Sequence, residues 1–356
     1  MPDARATAAI LTDACFHLPD AKTAHGLVRG PSRYRITAVV DRHGHGRDAG
    51  EVLDGRHRGI PIVADLDELL AQGPPPDFVV VGVATHGGVL PDGLRTTLRR
   101  ALAHGISLIS GLHEFLADDP ELVAMAQTNG ARLIDVRRPR PRRELHFWTG
   151  AIATVQAPRL AVLGTDCALG KRTTCHVVQR AAATVGLRAA IVHTGQTGWL
   201  QGIPHGFVLD STPNDFVCGE LEHAIVQCEQ DLAPDLIVLE GQSALRNPSG
   251  PCGAELLLGG QARGVLLQHA PARREFDGHP GHPIPPLTDE VELIGHYGAR
   301  VLAICVNDEG LPSSAHDSTR ASLAAATGLP VVFPLRDAED ALAPVLQAFV
   351  AAERAR

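Results

Sequence analysis

The stretch Leu160-Ala161-Val162-Leu163, continued by GTDCALGKRTT, constrains this chain more than any other part of it. Four apolar residues of strand type run into a glycine-bearing loop, and from Cys175 to Val185 the pattern takes on helical spacing. A loop between a strand and a helix N-terminus turns backbone N–H groups toward anionic oxygens, and Lys171 adds a mobile positive charge expected to face solvent and ligand. Gly164, Thr165, Gly170, Lys171, Arg172, Thr173 and Thr174 are therefore candidates for holding the phosphates of a nucleotide-type ligand. The motif departs from GxxxxGK[ST] in two ways: five residues separate Gly164 from Gly170, and Arg172 stands where a Ser or Thr normally reaches Mg2+. Thr173 or Thr174 must supply that hydroxyl if a metal is bound.

The loop sits inside a longer series. Strands are predicted at Leu160–Gly164, Ala189–Thr194, Leu236–Glu240, Gly264–His269, Val301–Val306 and Val331–Phe333, separated by helix-like segments, as in a parallel sheet covered on both faces. The first ~135 residues alternate likewise. Strands are expected at Ala9–Leu11, Ile36–Val40, Phe78–Val83 and Ser107–Ile109, and helices near Asp65–Leu70, Leu94–His104 and Pro120–Thr128. The fold class is α/β, a Rossmann-like N-terminal domain followed by a P-loop NTPase-like parallel-sheet domain. The first strand leads into TDACFHLPDAKTAHG without the GxGxxG that admits a pyrophosphate, which argues against a dinucleotide there. GVATHGG (Gly82–Gly88) and Lys22 are weaker ligand candidates in that half. The arginine- and proline-rich Arg137–Arg143 reads as a solvated connector. The domains are drawn at 1–136 and 159–356, with 137–158 as linker.

Strand ends supply the remaining candidates, because ligands of open α/β sheets gather there. Glu240 closes an apolar strand and is the metal-side carboxylate, or else a cap of the following turn; Arg246, six residues on, is a candidate substrate contact. The long segment from His193 to Glu220 is rich in Gly, Pro, Thr and Asn, and such loops are usually functional or disordered. Gln196, Thr197 and Asn214 are its candidate substrate contacts. Asp215 is a second metal ligand or a helix N-cap. His269, at the end of a further strand, is a general base or a structural histidine. Catalysis is thus assigned to Lys171, Glu240 and His269, and metal binding to Thr173, Asp215 and Glu240.

Composition narrows the partners. Lys plus Arg at 32 against Asp plus Glu at 40 gives a net charge of -8, which disfavours a nucleic-acid polyanion. No segment approaches the ~18 apolar residues of a membrane span and the N-terminus lacks a signal-like apolar stretch, so a cytoplasmic location is expected. The seven cysteines include no CxxC pair and read as reduced thiols. A small-molecule amino acid or carboxylate is the expected partner, with homo-oligomerisation left open.

The loops GTDCALGK and VLEGQSALRNP resemble those of dethiobiotin synthetase, an ATP-dependent enzyme that activates a carboxylate. That likeness implies ATP and Mg2+. A resemblance spanning nearly the whole chain rests on AKTAHGLVR, GVATHGG, SGLHEFLADDPEL, DVRRP, GTDCALGKRTT, HTGQTG, PNDFVCGELE, LEGQSAL and QHAP. It is to a two-domain family of unknown function, Rossmann-like then P-loop, some members of which are described as D-glutamate N-acetyltransferases. It implies transfer of an acetyl group from acetyl-CoA to an amino-acid amine, with Lys171 and its loop on the donor phosphates and Glu240, Gln196, Asn214 and His269 around the acceptor. Three readings stand: the acyltransferase, an ATP-dependent carboxylate kinase or ligase, and a non-catalytic nucleotide sensor.

Overall fold

The computed structural model describes residues 6–337 and 339–356, so the first five residues of the N-terminal stretch lie outside it. The chain divides into two compact units, one of residues 1–140 with Gln196–Ile203, the other of Pro141–Gly195 with Pro204–Arg356.

Unit 1 alternates β1 (Thr7–Leu11), α1 (Lys22–Arg29), β2 (Arg35–Val40), α2 (Ala49–Asp54), β3 (Ile62–Val63), α3 (Leu66–Gln72), β4 (Phe78–Val81), α4 (Asp92–Ala103), β5 (Ser107–Ser110), α5 (Pro120–Thr128) and β6 (Leu133–Asp135). The strands are parallel, in the order β3-β2-β1-β4-β5-β6. Burial on both faces explains their unbroken apolar runs: Ile10 and Val80 pack to one side, Ala9 and Val79 to the other. Asp119 caps α5 by accepting from the amides of Glu121 and Leu122, and Pro120 at the first helical position fixes its start. Gly82 serves packing, since a Cβ there would lie 2.4 Å from Ile10 and 3.0 Å from Ala24 of α1. Asp41, after β2, accepts from the Thr12 hydroxyl (2.6 Å) and the amides of Phe16 and His43 (2.9 Å each), so the β1–α1 loop is tied down on it.

Unit 2 begins with a strap, 145–155, then runs through β7 (Arg159–Gly164), α6 (Lys171–Thr184) and β8 (Ala189–His193). The chain next contributes α7 (Gln196–Leu200) to unit 1 and returns as β9 (His205–Gly206) and α8 (Asn214–Leu232). β10 (Leu236–Glu240), α9 (Ala254–Leu258), β11 (Gly264–His269), α10 (Leu287–His296), β12 (Arg300–Val306), α11 (His316–Thr327), β13 (Val331–Val332) and α12 (Ala343–Arg354) complete it. The order is β13-β12-β11-β7-β10-β8-β9, again parallel. The strand bearing the glycine loop is thus flanked by β10 and β11, whose C-terminal ends carry Glu240 and His269.

Two expectations change. The segment from His193 to Glu220 is not one long loop. Inside unit 1, Leu200 is fully buried, which is worth about 2 kcal/mol. Gln201 donates to Gly26 O at 3.0 Å, the Arg33 amide donates to Leu200 O at 2.8 Å, and the Arg33 guanidinium lies over the Trp199 ring. Nor is all of Arg137–Arg143 solvated, although residues 138–143 are exposed. Arg137 is 9 % exposed and donates to Gly111 O and Gln196 Oε1. Residues 146–152 are clipped to α8 by two buried carboxylates. Glu220 accepts from the His146 amide and ring, and Glu222 from the amides of Thr149 and Ile152. No helix among the described residues is long and apolar enough to cross a membrane.

Candidate functional site

The glycine loop leaves β7 at Gly164 and enters α6 at Lys171. Ala168 at φ +53° and Gly170 at φ +92° take left-handed conformations that bend the loop back on itself. Among the described residues, no oxygen accepts a hydrogen bond from the backbone amides of Asp166 to Lys171. Those N–H groups and the start of a 14-residue helix together form a ready anion cradle.

Lys171 does not face solvent as expected; it is 6 % exposed. Its Nζ donates to Asp166 O at 2.6 Å and Ser243 O at 2.7 Å. Burial pulls its pKa down from 10.5 to about 8, because two neutral carbonyls replace hydration only in part. Gly241 lets this happen: a Cβ there would lie 2.2 Å from Val162 O and 3.2 Å from the lysine side chain.

Glu240 is 4 % exposed. Its Oε2 accepts from the Thr194 amide at 3.2 Å, and its Oε1 lies 3.9 Å from the Arg172 guanidinium. Burial raises its pKa despite Arg172 and the Thr194 amide. His269 hydrogen-bonds through Nδ1 to Thr165 Oγ1 at 3.0 Å, and burial lowers its pKa to about 4. Thr174 donates its hydroxyl to Gln268 Oε1 at 2.8 Å, while Thr173 is half-buried on the same helical turn. The second hydroxyl is therefore engaged within the protein.

The residues that sequence reasoning passed over hold the loop in place. Asp166 is fully buried. Its Oδ1 accepts from Asn247 Nδ2 at 3.1 Å, and its Oδ2 from Arg273 and the Asp277 amide at 2.9 Å each. Arg273 also donates to Cys167 O at 2.8 Å and to Glu309 at 3.1 Å. Asp166 and Asn247 lie within the segments singled out above, and Arg273 stands two residues after QHAP. The signal available was a carboxylate inside a loop meant for anions, which needs a cation of its own.

The other candidates have surroundings of their own. Gln196 and Thr197 belong to unit 1, where Gln196 accepts from Arg137 and the Thr197 hydroxyl meets that of Thr23 at 3.3 Å. Arg246 is paired with Glu290 at 2.6 Å. Asn214 and Asp215 are exposed in the first turn of α8, whose N-cap is Pro213 without a side-chain cap, so Asp215 is not the N-cap. Among the described residues, Asp215 makes no ion pair with the loop, and no three His, Cys, Asp or Glu side chains gather as a metal-binding group.

Known proteins frame this site. Residues 146–343 match a P-loop domain of unknown function (DUF1611_C), and residues 42–139 the Rossmann-like domain (DUF1611_N) that goes with it. A protein of Tritonibacter scottomollicae named D-glutamate N-acetyltransferase is 30% identical over 293 residues, 80% of this chain and 84% of its own. One of the same name from Pseudoalteromonas sp is 28% identical over 270 residues, 74% of this chain and 79% of its own. The crystal structure of a DUF1611 family protein from Anabaena variabilis superposes with a TM-score of 0.87 at 31% identity, covering 96% of this chain and 99% of that one. Strand order, glycine loop and these matches agree, and the chain belongs to the DUF1611 family.

Proposed function

We propose that the chain is an N-acyltransferase that moves an acetyl group from acetyl-CoA to the amine of an amino acid, D-glutamate being the first acceptor to try. The reading is carried by one observation: relatives named for that activity align over most of both chains. The geometry supports it with a cradle of unshared amides and a lysine poised on two carbonyls. Lys171 would exchange those carbonyls for donor phosphates, and Arg172 would add a second positive charge. His269 is unprotonated at neutral pH and so able to accept a proton. The acceptor's ammonium gives one proton to His269, the freed amine attacks the thioester carbonyl, the C–N bond forms and the C–S bond breaks; the surplus proton on the new amide nitrogen passes to the departing thiolate, which leaves as the thiol, and His269 returns its proton to solvent. Phosphates bound beside Thr165, the partner of His269, favour the imidazolium that results.

A second reading, the ATP-dependent carboxylate kinase or ligase, draws on Glu240 at the end of β10. Mg2+ would be held by Thr173 and Glu240 and would neutralise charge on the transferring phosphoryl group. The fit is poorer, because the Arg172 guanidinium already faces the same carboxylate.

Incubating the purified protein with acetyl-CoA or with Mg2+ and ATP, against D- and L-amino acids and with mass detection, tests both. The expected product is an N-acetylated D-amino acid formed with chelator present. Product only with Mg2+ and ATP would overturn the acyltransferase in favour of the second reading. Binding without product would overturn both and leave a nucleotide sensor.

A further inference from the structure

The fully buried carboxylate of Asp166 lies inside a loop whose expected ligand is an anion. A bare carboxylate there would repel phosphate and be costly to bury. The structure answers both problems with Arg273. Its NH1 bonds Asp166 Oδ2 and the Cys167 carbonyl at once, and its NH2 reaches Glu309. Asn247 donates to the other oxygen of Asp166, and the Asp277 amide to the oxygen that Arg273 holds. The loops that follow β7, β10, β11 and β12 are thus fastened to one pair. The consequence reaches Lys171, because both carbonyls under its Nζ lie in fastened segments: Asp166 itself, and Ser243, four residues before Asn247. Cys167, whose carbonyl Arg273 grips, adjoins Ala168 at its unfavourable φ of +53°.

We infer that the side chains of Asp166 and Arg273 are positioning groups that act as one unit, holding the loop in its phosphate-accepting shape and stationing Lys171 while they bind each other rather than the ligand. The inference rests on the reading that this loop binds donor phosphates, and it goes beyond that reading by assigning part of the affinity to two side chains that bind each other. Loss of Arg273 frees the Cys167 carbonyl and leaves the buried Asp166 carboxylate without its cation, while loss of the Asp166 charge leaves Arg273 without its buried anchor, and either way the loop loses its preset form.

The test is a double-mutant cycle on the full chain, with Asp166→Asn, Arg273→Gln, their combination, Arg273→Lys and Lys171→Ala, each titrated calorimetrically with CoA and separately with ATP. Melting temperatures are recorded alongside, so that lost binding is not confused with lost fold. Either single change is expected to weaken binding about 10-fold or more, as a small misplacement of binding groups does. The double variant is expected to be no worse than the weaker single one. Arg273→Lys, which keeps a cation with several donors, is expected to restore most of the affinity, and KM for the donor is expected to rise without a matching rise for the acceptor. Should Asp166→Asn fail to fold, the contrast between Arg273→Gln and Arg273→Lys carries the test. Wild-type affinity in the Asp166 and Arg273 variants with loss in Lys171→Ala, or losses that multiply in the double variant, would overturn the pair while leaving the phosphate loop standing. Undiminished binding in Lys171→Ala as well, or no binding by the wild type, would overturn the phosphate-loop reading and this inference with it.

Discussion

The Nζ of Lys171 lies 2.7 Å from the carbonyl oxygen of Ser243, a non-glycine residue held at φ +36°. A strained backbone beneath a buried amine fits a group kept ready rather than spent on stability. The chain has two lysines, Lys22 and Lys171, so this amine can be followed almost alone. Its folded pKa of about 8 lies below the 10.5 of an exposed lysine. Between those values the unfolded chain holds a proton that the folded chain has released, so stability rises with pH across the window, and the penalty for the charge is full below about 8. We expect the wild type to gain stability relative to Lys171→Met between pH 8 and 10.5 without ligand. Urea midpoints at several pH values check this, and parallel curves would refute it.

For Glu240 the sign is opposite. Burial holds its carboxyl above the usual range, so stability falls as pH rises from 4.5 through the folded pKa. Glu240→Gln keeps an acceptor for the Thr194 amide and removes the buried charge, and at pH 7 it should melt no lower than the wild type. Its effect on turnover separates the chemistries: metal-bridged phosphoryl transfer should collapse, whereas acyl transfer with His269 as base should persist.

His269 makes the pH profile diagnostic. In the free protein its pKa is about 4, and bound phosphates would raise it. The acid limb of kcat/KM reports the free enzyme and that of kcat the complex, so the first should lie at lower pH than the second. His269→Gln should abolish both limbs. Superimposed limbs near pH 6.5 in the wild type would point to a different base.

The motif PNDFVCGELE has a structural explanation at Gly219, where a Cβ would lie 2.0 Å from His146 O and 2.5 Å from Phe147 C. Gly219→Ala should push the strap off Glu220 and Glu222 and destabilise unit 2 by about 2 kcal/mol or more. Denaturant melts read the loss, and faster tryptic cleavage at Arg142 or Arg143 would localise it to the strap.

What the sequence made legible were features carried by local pattern. The core strands β10 and β11 were read residue for residue from their apolar runs, and the strand-loop-helix around Lys171 from its change of period. Two-residue β3 and β9 are too short to have a period, and half-buried β6 has little apolar signal. QTGWL became helix α7 through contacts with Thr23 and Arg33, neither of which is local. The site divides in the same way. Gly164, Lys171, Glu240 and His269 could be named because strand ends announce them. The partners of Asp166 stand 81, 107 and 111 residues along the chain, where no pattern within the loop could reveal them. Burial of Lys171 was missed for the same reason, since the loop that buries it follows a different strand.

The identity of the ligand turns on Arg172. A guanidinium cannot ligate a cation, and here it faces Glu240 at 3.9 Å with 22% of its side chain exposed. It therefore faces the carboxylate that a Mg2+ ion would need, and a ligand phosphate that draws it away must offset the loss of Glu240's buried counter-charge. In the acyltransferase, the natural use of a second cation beside the loop is the 3′-phosphate of CoA, which arginine grips bidentately. CoA should then bind the wild type more tightly than 3′-dephospho-CoA, and Arg172→Ala should narrow the gap. In the ATP-dependent reading the same substitution frees Glu240, so Mg2+ should strengthen ATP binding more in Arg172→Ala than in the wild type. Calorimetric titration of both proteins with CoA, 3′-dephospho-CoA and ATP, with and without Mg2+, separates the two. Equal affinity of the wild type for both CoA forms, together with tight binding of Mg2+–ATP alone, would remove CoA from the loop and leave carboxylate activation as the chemistry to pursue.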